Sequence, residues 1–363
     1  MERFQHGGNI YEEESPPGGW LDFSANINPL GLSGNVRKSI LGHVEALVHY
    51  PDPEARKLKE AIAAHYELPY DEILLGNGAA ELLYLFFSVM RFPRVLLPQP
   101  SFSDYERAAL AAGSHVEYLF LSPGQDFRVP WGKLHDRLSA SDCVVLGNPN
   151  NPTGNLVARE NLEECLTRSG GRAWVLVDES FLEFREDADS FTVRHLVPQY
   201  PRLFVIHSMT KFYAMPGLRL GFGVAAPETA RRLEASKDVW NVNLLAQAAG
   251  VAALGDTAYQ ENARRWLREE LRYMTGALQE LPGIKVFPSS VNFLLADVRG
   301  TGRSAADILA AMRERGILLR DCSNYPSLDG NYLRMAIRSH TDNRRLMDAW
   351  NEILRDDRKG RRA

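Results

Sequence analysis

Residues 207–221 read H-S-M-T-K-F-Y-A-M-P-G-L-R-L-G, and this stretch decides the fold. The segment just before it, Phe204–His207, is short, mostly apolar and strand-like. Lys211 therefore stands past the end of a buried strand, hemmed by Phe212, Tyr213 and Met215. A lysine kept from water near other cations loses basicity and becomes a competent amine nucleophile. Most lysines snorkel at the surface instead, so Lys211 alone decides nothing. Its neighbours do: Ser208 and Thr210 offer hydroxyls and Arg219 a planar fork, a set that suits a dianionic phosphate.

Other strand ends carry similar signals. Gly76-Asn77-Gly78-Ala79-Ala80 follows apolar Leu74–Leu75 and precedes a helix expected over 79–89. Glycines let the backbone approach, and the free amides of a helix N-terminus cradle an anion. The loop is not G-x-x-x-x-G-K-[ST], so no nucleoside triphosphate site is read. The run 173–178, A-W-V-L-V-D, ends a buried strand in a carboxylate, Asp178, which needs a partner. Cys143–Gly147 leads into N-P-N-N-P-T-G at 148–154, whose dipeptides mark a double turn. Val95–Leu97 leads into a helix expected over 101–112, with Ser101 as N-cap and Gly113 as its stop. Continuous apolar strands alternating with helices predict an α/β fold, a mostly parallel sheet covered on both faces. Ligands of such sheets bind at the carboxyl ends of the strands, where these residues fall.

After about residue 285 the texture changes. Ile284–Phe287, Val291–Ala296, Ile317–Leu319 and Tyr332–Ile337 read as strands. Ala305, Ile308, Leu309 and Met312 recur at helical spacing, and a last helix is expected over 341–354. This predicts a large domain over 46–275 and a smaller α+β domain over 276–363. An N-terminal segment, 1–45, would contribute to both the small domain and the site. A chain of 363 residues is long for one core, which agrees with two units.

The composition excludes more than it identifies. With 45% hydrophobic and 24% charged residues the chain is ordinary for a globular protein. A formal net charge of −4 gives no reason to expect nucleic acid or an anionic membrane as partner. Cys143, Cys165 and Cys322 are odd in number, widely spaced and without C-x-x-C. That argues against a disulfide framework or a metal site and fits a cytoplasmic location. The first residues contain no apolar core of a signal peptide, and the terminal R-D-D-R-K-G-R-R-A reads as a solvated tail.

Taken in order, N-P-N-N-P-T-G, D-E-S-F at 178–181, S-M-T-K at 208–211 and G-L-R-L-G at 217–221 resemble the fold-type I pyridoxal 5'-phosphate (PLP) enzymes of the aspartate aminotransferase superfamily. Within it the chain is similar to the histidinol-phosphate aminotransferase and threonine-phosphate decarboxylase branches. H-G-G-N at 6–9, L-D-F-S-A-N-I-N-P-L-G at 21–31, the stretch 320–326 and Y-L-R-M-A-I-R-S at 332–339 favour the decarboxylase branch.

The resemblance implies specific roles. Lys211 forms the Schiff base with PLP, Asp178 pairs with the ring nitrogen, Asn151 bonds the ring 3′-oxygen and Phe102 stacks on the ring. Gly78, Ala79, Ala80, Ser208, Thr210 and Arg219 surround the cofactor phosphate. Tyr50, in H-Y-P-D, reaches that phosphate from the other subunit, which implies a homodimer with shared sites. Arg334 holds the substrate carboxylate, and His6, Asn26 and Arg320 are candidates for the substrate's phosphate end. Many relatives carry Tyr three residues after the ring-nitrogen Asp, whereas this chain has Phe181, as the decarboxylase branch does. Ala79-Ala80 replaces residues that are often polar in relatives, which leaves only backbone contacts there. The implied reaction is decarboxylation of L-threonine O-3-phosphate. The rivals are histidinol-phosphate transamination and decarboxylation of phosphoserine. A purely ligand-binding role is disfavoured, because every catalytic position is filled.

Overall fold

The computed structural model describes residues 6–11 and 14–360, with backbone alone over 356–360. The first strand, β1 (Leu21–Asp22), lies apart from the large sheet. Seven strands follow: β2 (Ile73–Gly76), β3 (Arg94–Gln99), β4 (His115–Phe120), β5 (Cys143–Gly147), β6 (Trp174–Asp178), β7 (Leu203–Ser208) and β8 (Gly221–Ala225). They form one sheet in the order β2-β8-β7-β6-β5-β3-β4. β8 runs antiparallel to both of its neighbours, and every other pairing is parallel. The result is the α/β architecture that the sequence predicts, a mostly parallel sheet wrapped by helices with a smaller sheet beside it.

The central strands read as continuous apolar runs because both faces are covered. On β5, Val144 and Leu146 join the core on one face, while Cys143 and Val145 join the core on the other. β6 divides Val175 and Val177 from Leu176 in the same way, and β7 divides Leu203 and Val205 from Phe204 and Ile206. Side chains alternate along a strand, so each strand supplies both layers. All three cysteines are free and buried. No helix among the described residues is long and apolar enough to cross a membrane.

The smaller sheet contains β9 (Lys285–Val286), β10 (Phe293–Asp297), β12 (Arg320–Asp321) and β13 (Tyr332–Ala336), ordered β12-β13-β10-β9. β11 (Ile317–Leu318) does not join it but pairs in parallel with β1. The N-terminal segment links the two units. The Phe23 amide donates to the Leu318 carbonyl at 2.8 Å, and the Ala336 amide donates to the Phe23 carbonyl at 2.8 Å. Farther along, Asn28 donates its side-chain amide to the Phe212 carbonyl at 2.8 Å, beside Lys211. The 23-residue helix Thr257–Gln279 leads from the strands of the large sheet to those of the smaller one.

Several boundaries differ from the sequence reading. The helix expected at 101–112 spans Ser103–Ala111, with Phe102 rather than Ser101 at its N-cap. The Ser101 amide is already tied to Gln99 Oε1 at 3.0 Å, while the Phe102 carbonyl accepts from the Tyr105 amide. Gly113 does end that turn, at φ +82°. The last helix spans His340–Gly360, so most of the expected tail has helical backbone, and 361–363 lie outside the described residues.

A buried ion pair braces the turn after β6. Glu179, fully buried, accepts from Thr192 Oγ1 at 2.7 Å and the Val193 amide at 2.8 Å, and lies 3.3 Å from Arg194 Nε. Removing one partner strands the other charge in a dry interior, at a cost of about 3–5 kcal/mol. Arg194→Ala should therefore lower the unfolding free energy by about that much, measured by urea denaturation.

Candidate active site

The strand ends converge on one cavity of about 320 Å³. Its lining includes the end of β6 (Asp178), the end of β7 (Ser208), the turn after it (Thr210, Lys211), and Ala79-Ala80 at the start of the helix Ala79–Met90. The small unit contributes Arg320 and Arg334, and the N-terminal segment contributes His6 and Ser24–Ile27.

One end of the cavity is built to hold an anion. Gly78 sits at φ +80° before the first helical turn, and a Cβ there would lie 2.5 Å from Arg219 Nη2. Only glycine lets that guanidinium approach the helix N-terminus, whose amides are free to donate. Ser208 Oγ and Thr210 Oγ1 lie 2.7 Å apart. Arg219 pairs with no carboxylate among the described residues, and its nearest acceptor is the Pro216 carbonyl at 3.5 Å. Amides, two hydroxyls and an open guanidinium are the donors a phosphate dianion requires.

Lys211 lies at the junction of the cavity's parts. Its Nζ donates to Ser208 Oγ at 3.1 Å and stands 5.8 Å from the centre of the Phe181 ring. Burial pulls its ammonium down to about 8; the Asp178 carboxylate opposes that shift and Arg219 adds to it. The amine is thus available at mildly alkaline pH, as a nucleophilic lysine requires. Asp178 is nearly buried; its Oδ2 accepts from the Tyr105 hydroxyl at 2.7 Å and its Oδ1 from the Ser180 amide at 2.9 Å. Phe102 lines the same cavity, its ring edge-on to Tyr105.

In the 148–154 turn two asparagines brace the backbone and a third faces the cavity. Asn148 Oδ1 accepts from the Val157 amide, and Asn150 donates to the Pro100 carbonyl and to Thr153 Oγ1. Asn151 alone of the three lines the cavity, and its Oδ1 accepts from Arg334 Nη1. Arg334 Nη2 donates to the Ser24 carbonyl at 2.7 Å, and its Nε is buried with no partner. Arg320 stands directly opposite Arg334 across β12 and β13. It donates to the Asp321 carbonyl at 2.6 Å and to Asn324 Oδ1 at 2.9 Å. Burial lowers the Arg334 pKa, and Arg320 adds to that shift. Asn26 Oδ1 is buried without a partner, and His6 Nε2 lies 3.2 Å from Asp104 Oδ1.

All but two of the residues singled out in the sequence line this cavity. Gly78 lies behind it against Arg219. Tyr50 is exposed, away from the cavity, and stacks on Trp240 with ring centroids 4.3 Å apart. The sequence reading missed Tyr105, Asp104 and Tyr325, which also line the cavity. Tyr105 had a legible signal: it lies three residues after Phe102 on a helix, hence on the same face. Asp104 and Tyr325 had none, since only the tertiary packing turns them inward.

The residues fit PLP. The donor set suits its phosphate, Lys211 suits its aldehyde, and the ionisable end of β6 suits its ring nitrogen. Comparison with known proteins agrees. The model of the family "Aminotransferase class I and II" matches residues 19–349. The threonine-phosphate decarboxylase of Salmonella typhimurium is 36% identical, with 96% of each chain covered. A histidinol-phosphate aminotransferase of Symbiobacterium thermophilum is also 36% identical, over 92% of this chain and 90% of that one. Among solved structures, the L-threonine-O-3-phosphate decarboxylase of Porphyromonas gingivalis superposes with a TM-score of 0.81 at 27% identity, covering 92% of this chain and 99% of that one.

Two outcomes follow from the lysine. Cofactor capture by the apoprotein needs the neutral amine, so its rate should rise with pH and level off above about 8, followed by stopped-flow absorbance. Lys211→Ala should abolish the visible absorbance band of the bound cofactor; a retained band would reassign the lysine.

Proposed function

The chain belongs to the class I and II aminotransferase family, and from that premise we infer that it is a PLP-dependent decarboxylase of L-threonine O-3-phosphate. The products are CO₂ and (R)-1-aminopropan-2-yl phosphate, a precursor of the cobalamin nucleotide-loop linker. The observation that carries this reading is the pairing of Arg320 with Arg334. Like charges directly opposite on neighbouring strands repel, and burying both adds a desolvation cost. The arrangement suits a substrate with two anionic ends, a carboxylate and a phosphate, in addition to the cofactor's own phosphate at the other end of the cavity.

When bound, PLP supplies an electron sink for the bond broken at Cα. The residues of this chain orient and protonate. We assign Arg219, Ser208, Thr210 and the backbone of Gly78-Ala79-Ala80 to the cofactor phosphate, Asp178 to the ring nitrogen, Phe102 to the ring face and Asn151 to the ring oxygen. Arg334 grips the substrate carboxylate with its planar fork, and Asn151 and the Ser24 carbonyl hold that fork in place. Arg320, His6 and Asn26 take the substrate phosphate. Lys211 Nζ lies within the cavity, where it would return a proton to Cα. Phe181 places no hydroxyl near the amine.

Two further features belong to this reading. Leu41, Leu47, Val48, Tyr50, Val239 and Trp240 are exposed, and Tyr50 stacks on Trp240. So much exposed apolar surface around one stacked pair suits a subunit interface. A homodimer would cover it and let Tyr50 of one subunit reach the phosphate cradle of the other. Three free thiols fit a cytoplasmic protein.

Histidinol-phosphate transamination is the second reading, favoured by the 36% identity to the Symbiobacterium thermophilum enzyme. CO₂ release from phosphothreonine, with no 2-oxo acid present, decides between them. Its absence, with pyridoxamine phosphate accumulating from histidinol phosphate, would overturn the decarboxylase. Phosphoserine differs by one methyl, worth about 1–3 kcal/mol in a pocket, so it should be decarboxylated more slowly. Arg334→Ala should weaken kcat/KM for phosphothreonine by about ten- to a hundredfold, the scale of hydrogen bonds to a charged group. Arg334→Lys should not restore it, because the bidentate fork is lost.

A further inference from the structure

We propose that Tyr105 is a positioning residue for the cofactor: its phenol, braced against Phe102, holds the Asp178 carboxylate in the orientation that meets the PLP ring nitrogen. The proposal rests on PLP being the cofactor, but not on which substrate is used.

Four observations support it. Tyr105 is fully buried in the layer formed by Leu82, Leu97, Val145 and Ile206, yet its hydroxyl reaches out of that layer to Asp178 Oδ2 at 2.7 Å. That distance marks a hydrogen bond strengthened by charge. Burial and the neighbouring Asp178 push the phenol well above its ordinary pKa, so it remains a donor across the working range of pH. The end of β5 leaves room for the phenol: a Cβ on Gly147 would lie 3.2 Å from the Tyr105 oxygen and as close to Asn150, nearer than such contacts normally run. Finally, the Tyr105 ring meets Phe102 edge-on, with centroids 5.6 Å apart and planes at 84°. One turn of helix thus supports both the group facing the cofactor ring and the group facing its nitrogen.

The hydroxyl is separable from the ring. Phenylalanine at 105 would fill the same space and keep the edge-on contact, losing only the donor. Asp178 would then retain the Ser180 amide on Oδ1 and be free to rotate its other oxygen. An acidic group that supports an aromatic nitrogen must lie in the ring plane, so a carboxylate free to turn supports it less well.

The test is a cycle of Tyr105→Phe and Asp178→Asn, with each purified protein titrated with PLP and binding read by fluorescence. In the wild-type background Tyr105→Phe should raise the half-saturating PLP about tenfold, the scale of one hydrogen bond to a charged group. In the Asp178→Asn background it should change little, because the partner is already altered. The pH titration of the visible band should also move in Tyr105→Phe, which loss of core packing alone would not cause. Unchanged affinity and an unmoved titration would overturn the proposal, as would an equal loss in both backgrounds. Failure of the wild-type protein to saturate with PLP would refute the cofactor reading instead, so the two failures are distinguishable.

Discussion

The structure depends on confining positive charge to one cavity of a chain that carries a net formal charge of −4. Lys211, Arg219, Arg320 and Arg334 all line it. Such a concentration is unfavourable without anions to meet it, and the chain supplies few. Asp178 faces Lys211 from the end of β6, and Asp104 stands beside His6. The proposed cofactor phosphate at one end and a doubly anionic substrate at the other would meet the remaining demand. Because guanidinium groups stay charged when buried, the site remains selective for anions across the ordinary range of pH.

The fold delivers these charges from separate parts of the chain. Parallel strands end together, so Asp178, Ser208 and the turn leading to Lys211 share one edge of the large sheet. The antiparallel pairing of β8 with β2 sets Gly221 opposite Gly76, which places Arg219 against Gly78 and the first turn of the helix that follows β2. Arg320 and Arg334 come from a different sheet. Asn151 and the Ser24 carbonyl tie Arg334 to the large sheet's strand ends and to the N-terminal segment, so the orientation of its guanidinium depends on all three parts being assembled.

Much of this was legible in the sequence. The strands at 143–147 and 174–178 were read to the residue, because a strand buried on both faces is an uninterrupted apolar run. The convergence of Ser208, Thr210 and Arg219 near Ala79 was legible because glycine, hydroxyl and guanidinium groups sit at short spacing beside strand ends. The N-cap at Ser101 was misread, since a serine before a helical pattern looks like a cap whether or not its amide is already engaged. β4 and β8 were not anticipated: β4 is an edge strand with half-exposed side chains, and β8 is short and rich in glycine.

The chemistry could be read from the chain alone: a lysine past a buried strand, a carboxylate ending another, and hydroxyls and a guanidinium close by. These are properties of residue type and local spacing, and local periodicity places them at strand ends. Only the tertiary structure decided how the parts act on one another. Tyr105 bonds Asp178 across 73 residues of chain, Arg334 bonds Asn151 across 183, and Arg320 meets Arg334 through strand register. Long-range contacts of that kind leave no periodic trace, because the geometry that creates them arises only when both cores have packed.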